Sequence, residues 1–396
     1  MREQIENVAV IGAGTMGHGI AQVFLMNGFK VALLDVDDEI LNRALRNIEW
    51  SLMRFVEKRR IEREEADAAL SRLRLTTSYE EAVGDSDFVI EAAPEKLELK
   101  KAIFKRVDEL APPHAIIASN TSTLSISEMG ESTKRPDKAI GMHWFNPPQI
   151  MNLIEVIRGA KTSDETLEKV LSLARRLGKT PIVCKKDTRG FIVNRVLVLV
   201  FNEAFWSYHR GEASIEGIDA SVKYSGGFPM GWFELCDYIG IDTAYEMEKV
   251  LYQAFGERFR PCPEVIEPLV RSGSLGQKAG RGFYDWSFGR PRIRSELSGE
   301  YDVERSWVVS VNEAAWIVYE DVAEPASIDT GMKLGAGWPM GPCEYADRNG
   351  IDSIVQKLES LHKKYGQELY SPCPLLKDLV SKGFLGGKTG RGFYQY

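Results

Sequence analysis

The sequence predicts a doubly wound, Rossmann-like α/β domain at the N-terminus followed by two tandem all-α domains. Three observations carry this reading. The first third alternates short apolar runs with helical segments, and a glycine-rich turn joins the first run to the first helix. Beyond about residue 188 the strand pattern gives way to long helical segments that repeat at one fixed spacing.

The elements follow in order. Val8-Ala9-Val10-Ile11 is a continuous apolar run ending at Gly12, as expected of a parallel strand buried on both faces. A helix from about Thr15 to Asn27, closed by Gly28, leads to a second strand, VALLD, that ends at Asp35, which completes one βαβ unit. Residues 38 to 73 interrupt the alternation with Leu41, Leu45, Ile48, Leu52 and Phe55 at helical spacing and then a charged stretch, and they predict a helical hairpin projecting from the sheet. Further strands are expected at Phe88 to Glu91, Ala115 to Ser119, Ala139 to Met142, Leu153 to Ile157 and Ile182 to Cys184.

The helical part duplicates itself. Asn202-Glu203-Ala204 returns as Asn312-Glu313-Ala314, Asp219 as Asp329, Pro229-Met230-Gly231 as Pro339-Met340-Gly341, and the GRGFY at 280 as the GRGFY at 390, always 110 residues on. Pro261-Cys262-Pro263 returns as Pro372-Cys373-Pro374 with a slip of one. The reading is of domains at 1–187, 188–290 and 300–396, with the charged stretch 287–300 as the linker between the helical copies.

Composition excludes several classes. At 396 residues and a net charge of −7, the chain can bury a large core and has no long-range attraction for nucleic acid. Its five cysteines are an odd number, with no CxxC pair and no Cys/His cluster at metal-ligand spacing, so a reducing compartment and no metal are expected. The N-terminus enters a strand without a leader pattern, and the most apolar run, VLVLVF at 196–201, is far shorter than a membrane span. The expected location is the cytoplasm, with no membrane partner.

Two constellations point to chemistry. Gly12-Ala13-Gly14-Thr15-Met16-Gly17 fits GxGxxG between a strand and a helix, and Asp35 closes the next strand. Such a turn lets a pyrophosphate approach the helix N-terminus, while the acid accepts from ribose hydroxyls and repels a 2′-phosphate, which favours NAD over NADP. The motif alone also admits FAD or a tight turn in another doubly wound fold. The second constellation is HWFNPPQIMNLIEVI at 143–157, which places His143 before Pro147-Pro148 and Glu155 in the apolar run beyond. If the prolines turn the chain, the carboxylate meets the imidazole, fixes its tautomer and stabilises the imidazolium formed when the other nitrogen takes a proton. The same residues also suit a satisfied histidine and a paired interior acid.

The motifs VAVIGAGTMGHGIAQVF, SNTSTLSI, GMHWFNPP, LIEVI, GFIVNR, GGFPMGWFEL and GRGFY together resemble the 3-hydroxyacyl-CoA dehydrogenase family across the whole chain. The resemblance implies NAD-dependent, reversible oxidation of a 3-hydroxyacyl-CoA, with 3-hydroxybutyryl-CoA as a short-chain example. It implies His143 as general base, Glu155 as its partner, and Ser122 and Asn194 as hydrogen-bonders of the substrate's reacting oxygens. Gly12, Gly14, Gly17, Asp35, Glu95, Lys100 and Asn120 fall on the cofactor side, and Asn146 would fix the His143 segment.

The resemblance further implies a monomer or homodimer in which the second helical copy replaces a partner subunit's domain, and it admits association with an enoyl-CoA hydratase activity. Read without it, Ser122 and Asn120 suit helix caps and Lys100 a solvated helix face. Arg189 stands where the family usually has proline, and Trp144 where it usually has phenylalanine. Glu304 occupies the position of Asn194 in the second copy, so one active site per chain is expected. Lys185, Lys186 and Arg189 are candidate partners for coenzyme A phosphates, and aromatic and methionine residues near GGFPMGWF are candidates for an acyl pocket, though equally suited to core. The competing functions are a dehydrogenase of a free hydroxy acid or sugar acid on the same fold, and a non-catalytic scaffold.

Overall fold

The computed structural model describes residues 5–396 and divides into two compact units, 1–188 and 189–396. In the first, the elements run β1 (Asn7–Ile11), α1 (Thr15–Met26), β2 (Lys30–Leu34), α2 (Asp38–Glu57), α3 (Arg63–Leu70), β3 (Leu73–Thr76), α4 (Tyr79–Val83) and β4 (Phe88–Glu91). They continue as α5 (Leu97–Leu110), β5 (Ile116–Ser119), α6 (Ile126–Glu131), β6 (Ala139–Trp144), β7 (Leu153–Ile157), α7 (Asp164–Arg176) and β8 (Thr180–Cys184). The strands form one eight-stranded sheet in the order β3-β2-β1-β4-β5-β6-β7-β8.

Every neighbouring pair is parallel except β6 and β7, which run antiparallel. Central strands such as β1, β4 and β5 are apolar and buried because helices cover both faces of a parallel sheet. Strand β3 was not expected from the sequence. It is a four-residue edge strand, LRLT, whose exposed Arg74 breaks the apolar run, and the helical pattern before it reaches almost to its start. The hairpin at 38–73 is present as α2 and α3, with Leu41, Ala44, Ile48 and Leu52 forming the buried stripe of α2.

The second unit is helical and holds both copies. The first comprises α8 (Val193–His209), α9 (Ile215–Ala220), α10 (Trp232–Ile239), α11 (Ile241–Phe255) and α12 (Pro263–Ser272). The second comprises α13 (Glu304–Tyr319), α14 (Pro325–Gly335), α15 (Pro342–Asn349), α16 (Ile351–Tyr365) and α17 (Pro374–Ser381). The repeated motifs have structural causes. Asp219 accepts from the amides of Phe233 and Glu234 at the start of α10, and Asp329 does the same for Cys343 and Glu344 at the start of α15. Asp237 and Asp347 likewise accept from the Phe and Tyr amides of the two GRGFY loops.

The copies meet reciprocally. Arg195 on α8 lies 2.6 Å from Glu313 on α13, and its counterpart Arg305 lies 2.7 Å from Glu203, the counterpart of Glu313. This exchange of equivalent contacts is the signature of a two-fold interface, here built within one chain. The GGFPMGWF aromatics belong to it: Phe228 packs on Trp232 and on Trp307 and Trp338 of the second copy, with ring centroids 4.9 to 5.1 Å apart. These rings are core.

Glu212 joins the interface through Arg305 Nη1 at 2.8 Å and Tyr365 Oη at 2.5 Å. Burial opposes its ionisation, but the bonds from Tyr365 and Arg305 and the charges of Arg305 and Arg210 prevail and hold its carboxyl at about 2. A depressed carboxylate stabilises the fold above its ordinary pKa of 4.5 and loses that contribution as pH falls through the folded value. Glu212→Gln should therefore lower Tm at neutral pH by a margin that shrinks as pH falls from 4.5 toward 2. A margin independent of pH in calorimetry contradicts this assignment.

Candidate active site

The antiparallel step in the sheet builds the site. His143 and Glu155 are directly opposed in the β6–β7 ladder, so both side chains leave the same face. His143 Nδ1 lies 2.6 Å from Glu155 Oε2, with the histidine 7 % exposed and the glutamate fully buried. A buried carboxylate needs a donor, and the imidazole supplies it. The carboxylate accepts from Nδ1, which leaves Nε2 as the basic nitrogen. Asn120, just beyond β5, anchors the same strand: its Oδ1 accepts from Trp144 N at 2.8 Å. Asn146 is exposed in the loop that follows.

A second network surrounds β4. Glu91, at the end of that strand, is fully buried. It accepts from Lys100 Nζ at 2.6 Å, Ser119 Oγ at 2.5 Å and Ala93 N at 2.6 Å. Lys100, 1 % exposed, also lies 3.2 Å from Glu95 and donates to Ala93 O. Glu95 in turn accepts from Thr121 Oγ1 and from Ser122 N at 3.0 Å, with Ser122 Oγ 3.5 Å away. Burial opposes ionisation of Glu95, yet the Lys100 charge and the Thr121 and Ser122 bonds outweigh it and hold its carboxyl below the usual range.

Lys100 is therefore a buried ion-pair partner, which corrects the expectation of a solvated helix face. Nor do Ser122 and Asn120 cap the following helix. Ser125 caps α6 by accepting from Glu128 N, and Asp187 accepts from Ser125 Oγ and the amides of Ile126 and Ser127. Glu91, Ser119, Thr121 and Asp187 escaped the sequence reading. For Glu91 a signal existed, since an acid closing an apolar buried strand calls for a cation nearby.

The nucleotide-binding turn fits a dinucleotide. Gly12 has φ +97°, and a Cβ there would meet Ala92 O at 2.7 Å; a Cβ on Gly17 would meet Gly12 O at 1.7 Å. Around the Cβ position of Gly14, in contrast, nothing lies within 4 Å. That opening is at the N-cap of α1, where among the described residues no side chain caps the helix and no acid stands in its first turn. Uncapped amides beside open space suit a pyrophosphate. Asp35 follows β2, and its carboxylate accepts from Ala13 N and Val36 N at 2.7 Å each, which ties it to the same turn.

Asn194 belongs to the helical unit, in the first turn of α8, and is 8 % exposed. The fold also gathers His209, Cys262 and Glu264, whose ligand-type atoms lie within 4.8 Å of one another, a grouping that linear spacing does not reveal. The thiol of Cys262 donates to Glu264, and the second copy has Tyr319, Cys373 and Leu375 at these positions.

The fold and these residues define an NAD-dependent oxidoreductase. Residues 7–188 match the model of the 3-hydroxyacyl-CoA dehydrogenase NAD binding domain, and the model of that family's C-terminal domain matches twice, at 190–286 and 301–396. A probable 3-hydroxybutyryl-CoA dehydrogenase of Bacillus subtilis is 42% identical over 284 residues, covering 72% of this chain and 98% of the relative. A 3-hydroxyadipyl-CoA dehydrogenase of Escherichia coli is 31% identical across 97% of this chain and 100% of its own. The crystal structure of 3-hydroxybutyryl-CoA dehydrogenase from Escherichia coli matches with a TM-score of 0.89 at 31% identity, covering 96% of this chain and 100% of that one. The chain belongs to the 3-hydroxyacyl-CoA dehydrogenase family, and its activity is NAD-dependent oxidation of a 3-hydroxyacyl-CoA.

Breaking the Lys100–Glu91 pair from one side strands a buried charge. Lys100→Met should cost about 3–5 kcal/mol in urea unfolding, and adding Glu91→Gln should restore part of it. Equal stability of wild type and Lys100→Met contradicts the buried pair.

Proposed function

We propose that His143 is the general base for the 3-hydroxyl of a short-chain 3-hydroxyacyl-CoA, oriented by Glu155. The observation that carries this reading is the 2.6 Å contact between two buried, cross-strand side chains. Glu155 holds the proton on Nδ1, presents Nε2 to the hydroxyl, and stabilises the imidazolium once Nε2 has taken the proton. In the reductive direction the same imidazolium returns the proton. Ser122 donates to the reacting oxygen, and Asn194 is the helical unit's candidate for a substrate hydrogen bond. Bound NAD supplies the hydride acceptor. Gly12, Gly14 and Gly17 would hold its pyrophosphate and Asp35 its adenosine ribose, while Glu95, Lys100 and Asn120 keep the adjoining strand ends in place.

The Bacillus subtilis relative supports 3-hydroxybutyryl-CoA as substrate. The Escherichia coli relative that spans nearly the whole chain supports a second reading, 3-hydroxyadipyl-CoA, whose distal carboxylate calls for a cation in the acyl pocket. No described helix is long and apolar enough to cross a membrane. The proposal places the enzyme in the cytoplasm, with the two-fold helical interface completed within one chain.

NADH absorbance distinguishes these readings. Wild type should turn over both the thioester and NAD, with little activity on free 3-hydroxybutyrate or with NADP. His143→Ala should lower kcat by about 10²- to 10⁴-fold, the usual range for a lost general base, and Glu155→Gln by less. Asp35→Ser should improve use of NADP. Full turnover in His143→Ala contradicts the assigned base, and the better kcat/KM of the two thioesters identifies the acyl class.

A further inference from the structure

The loop between β6 and β7, residues 145–152, decides whether His143 and Glu155 stay opposed, because it joins the strands that carry them. Its own turn is closed by Pro147 O, which accepts from Ile150 N and Met151 N at 3.0 Å each. Two other loop carbonyls, those of Pro148 and Met151, point at one group. Lys179 Nζ donates to both, at 2.7 Å each. The same ammonium sits 5.8 Å from the centre of the Trp144 ring, next to His143 in β6. Lys179 is itself held at the junction of α7 and β8: its amide donates to Ala174 O, and the next residue, Thr180, donates to Asn152 O at 2.7 Å.

We infer that Lys179 is a positioning residue for the reaction, clamping the 145–152 loop so that His143 and Glu155 keep their cross-strand register. This rests on the reading of His143 as the base. Lysine is a costly choice here. It is 9 % exposed, and burial, with no carboxylate to offset it, brings its ammonium down to about 8. A methionine would fill similar space without that desolvation. What methionine lacks is directed donors for two loop carbonyls, those of buried Pro148 and half-buried Met151, and those carbonyls fix the path of the loop. The loop also packs on α1: a Cβ at Gly19 would meet Gln149 Oε1 at 2.8 Å and Pro148 Cδ at 3.0 Å. The clamp thus holds its loop against the helix that opens at the nucleotide-binding turn. From sequence, Lys179 in LGKTP is one more lysine after a helix.

The test is a kinetic cycle. Lys179→Met, Glu155→Gln, the double variant and His143→Ala are assayed with NAD and 3-hydroxybutyryl-CoA, with fluorescence titration of NADH to establish that the nucleotide-binding unit is folded. Lys179→Met should lower kcat by about 10- to 100-fold, the scale of an ångström-level misplacement, with both KM values within about twofold. In the Glu155→Gln background the same substitution should change kcat by less than about twofold, because the register it protects no longer has a dyad to align. Lys179→Arg, which keeps the charge and the donors, should recover most of the activity.

A kcat for Lys179→Met within twofold of wild type, or an equal loss with and without Glu155, overturns the inference. If Lys179→Met does not fold, Lys179→Gln, which cannot donate to both carbonyls with a charged group, carries the test: its kcat must fall in the wild-type background and change by less than about twofold in the Glu155→Gln background, and any other result overturns the clamp. Turnover in His143→Ala would instead refute the underlying base assignment, whereas an inactive His143→Ala beside a fully active Lys179→Met refutes the clamp alone.

Discussion

One antiparallel step in an otherwise parallel sheet governs this candidate active site. In a parallel sheet, neighbouring strands arrive in the same direction and crossovers separate them, so residues close in sequence seldom face each other across a ladder. The reversal between β6 and β7 brings His143 and Glu155 opposite one another with only eleven residues between them. Because side chains alternate faces, a slip of one residue would send Glu155 to the other side of the sheet. The strand ladder, the Asn120 contact to Trp144 and the Lys179 contacts to the connecting loop all oppose that slip. The pairing of His143 with Glu155 therefore depends on register, and register is held by contacts outside the pair.

The β4 network shows a related economy of polar groups. Glu91 and Lys100 are both buried, and the Glu91 carboxylate gathers Lys100 from α5, Ser119 from the end of β5 and the Ala93 amide just beyond β4. That edge is where a doubly wound sheet receives its ligands, and the uncapped start of α1 opens beside Gly14 at the end of β1. In the helical unit the duplicated copies reproduce a two-fold interface within one chain. The reciprocal Arg195–Glu313 and Arg305–Glu203 pairs bury what a single copy would leave exposed. The family's C-terminal model matching each copy separately agrees with that architecture.

Much of this was legible beforehand. The glycine-rich turn follows from its motif, most of the strands from continuous apolar runs, the helices from a period of 3.6, and the duplication from motifs that recur 110 residues on, all of them properties of the linear chain. The His143–Glu155 pair was legible because Pro147-Pro148 marks the turn between two apolar strands. What escaped is non-local. Strand β3 is a short edge segment whose pairing depends on β2, and Lys100 reads as a surface lysine until Glu91 is found across the strand end. The reciprocal interface needs both copies folded before its arginines have partners. The GGFPMGWF aromatics, open to either role in sequence, are assigned to core by Trp307 and Trp338 of the second copy.

The most direct test of the central claim is the position of the proton on His143. Nitrogen-15 NMR of histidine-labelled protein, recorded at alkaline pH with His143→Ala for assignment, distinguishes the two neutral tautomers. The structure predicts the proton on Nδ1, held by Glu155, with Nε2 unprotonated, and a loss of that preference in Glu155→Ala. A proton on Nε2 in the wild type, unchanged by removing Glu155, would contradict the account.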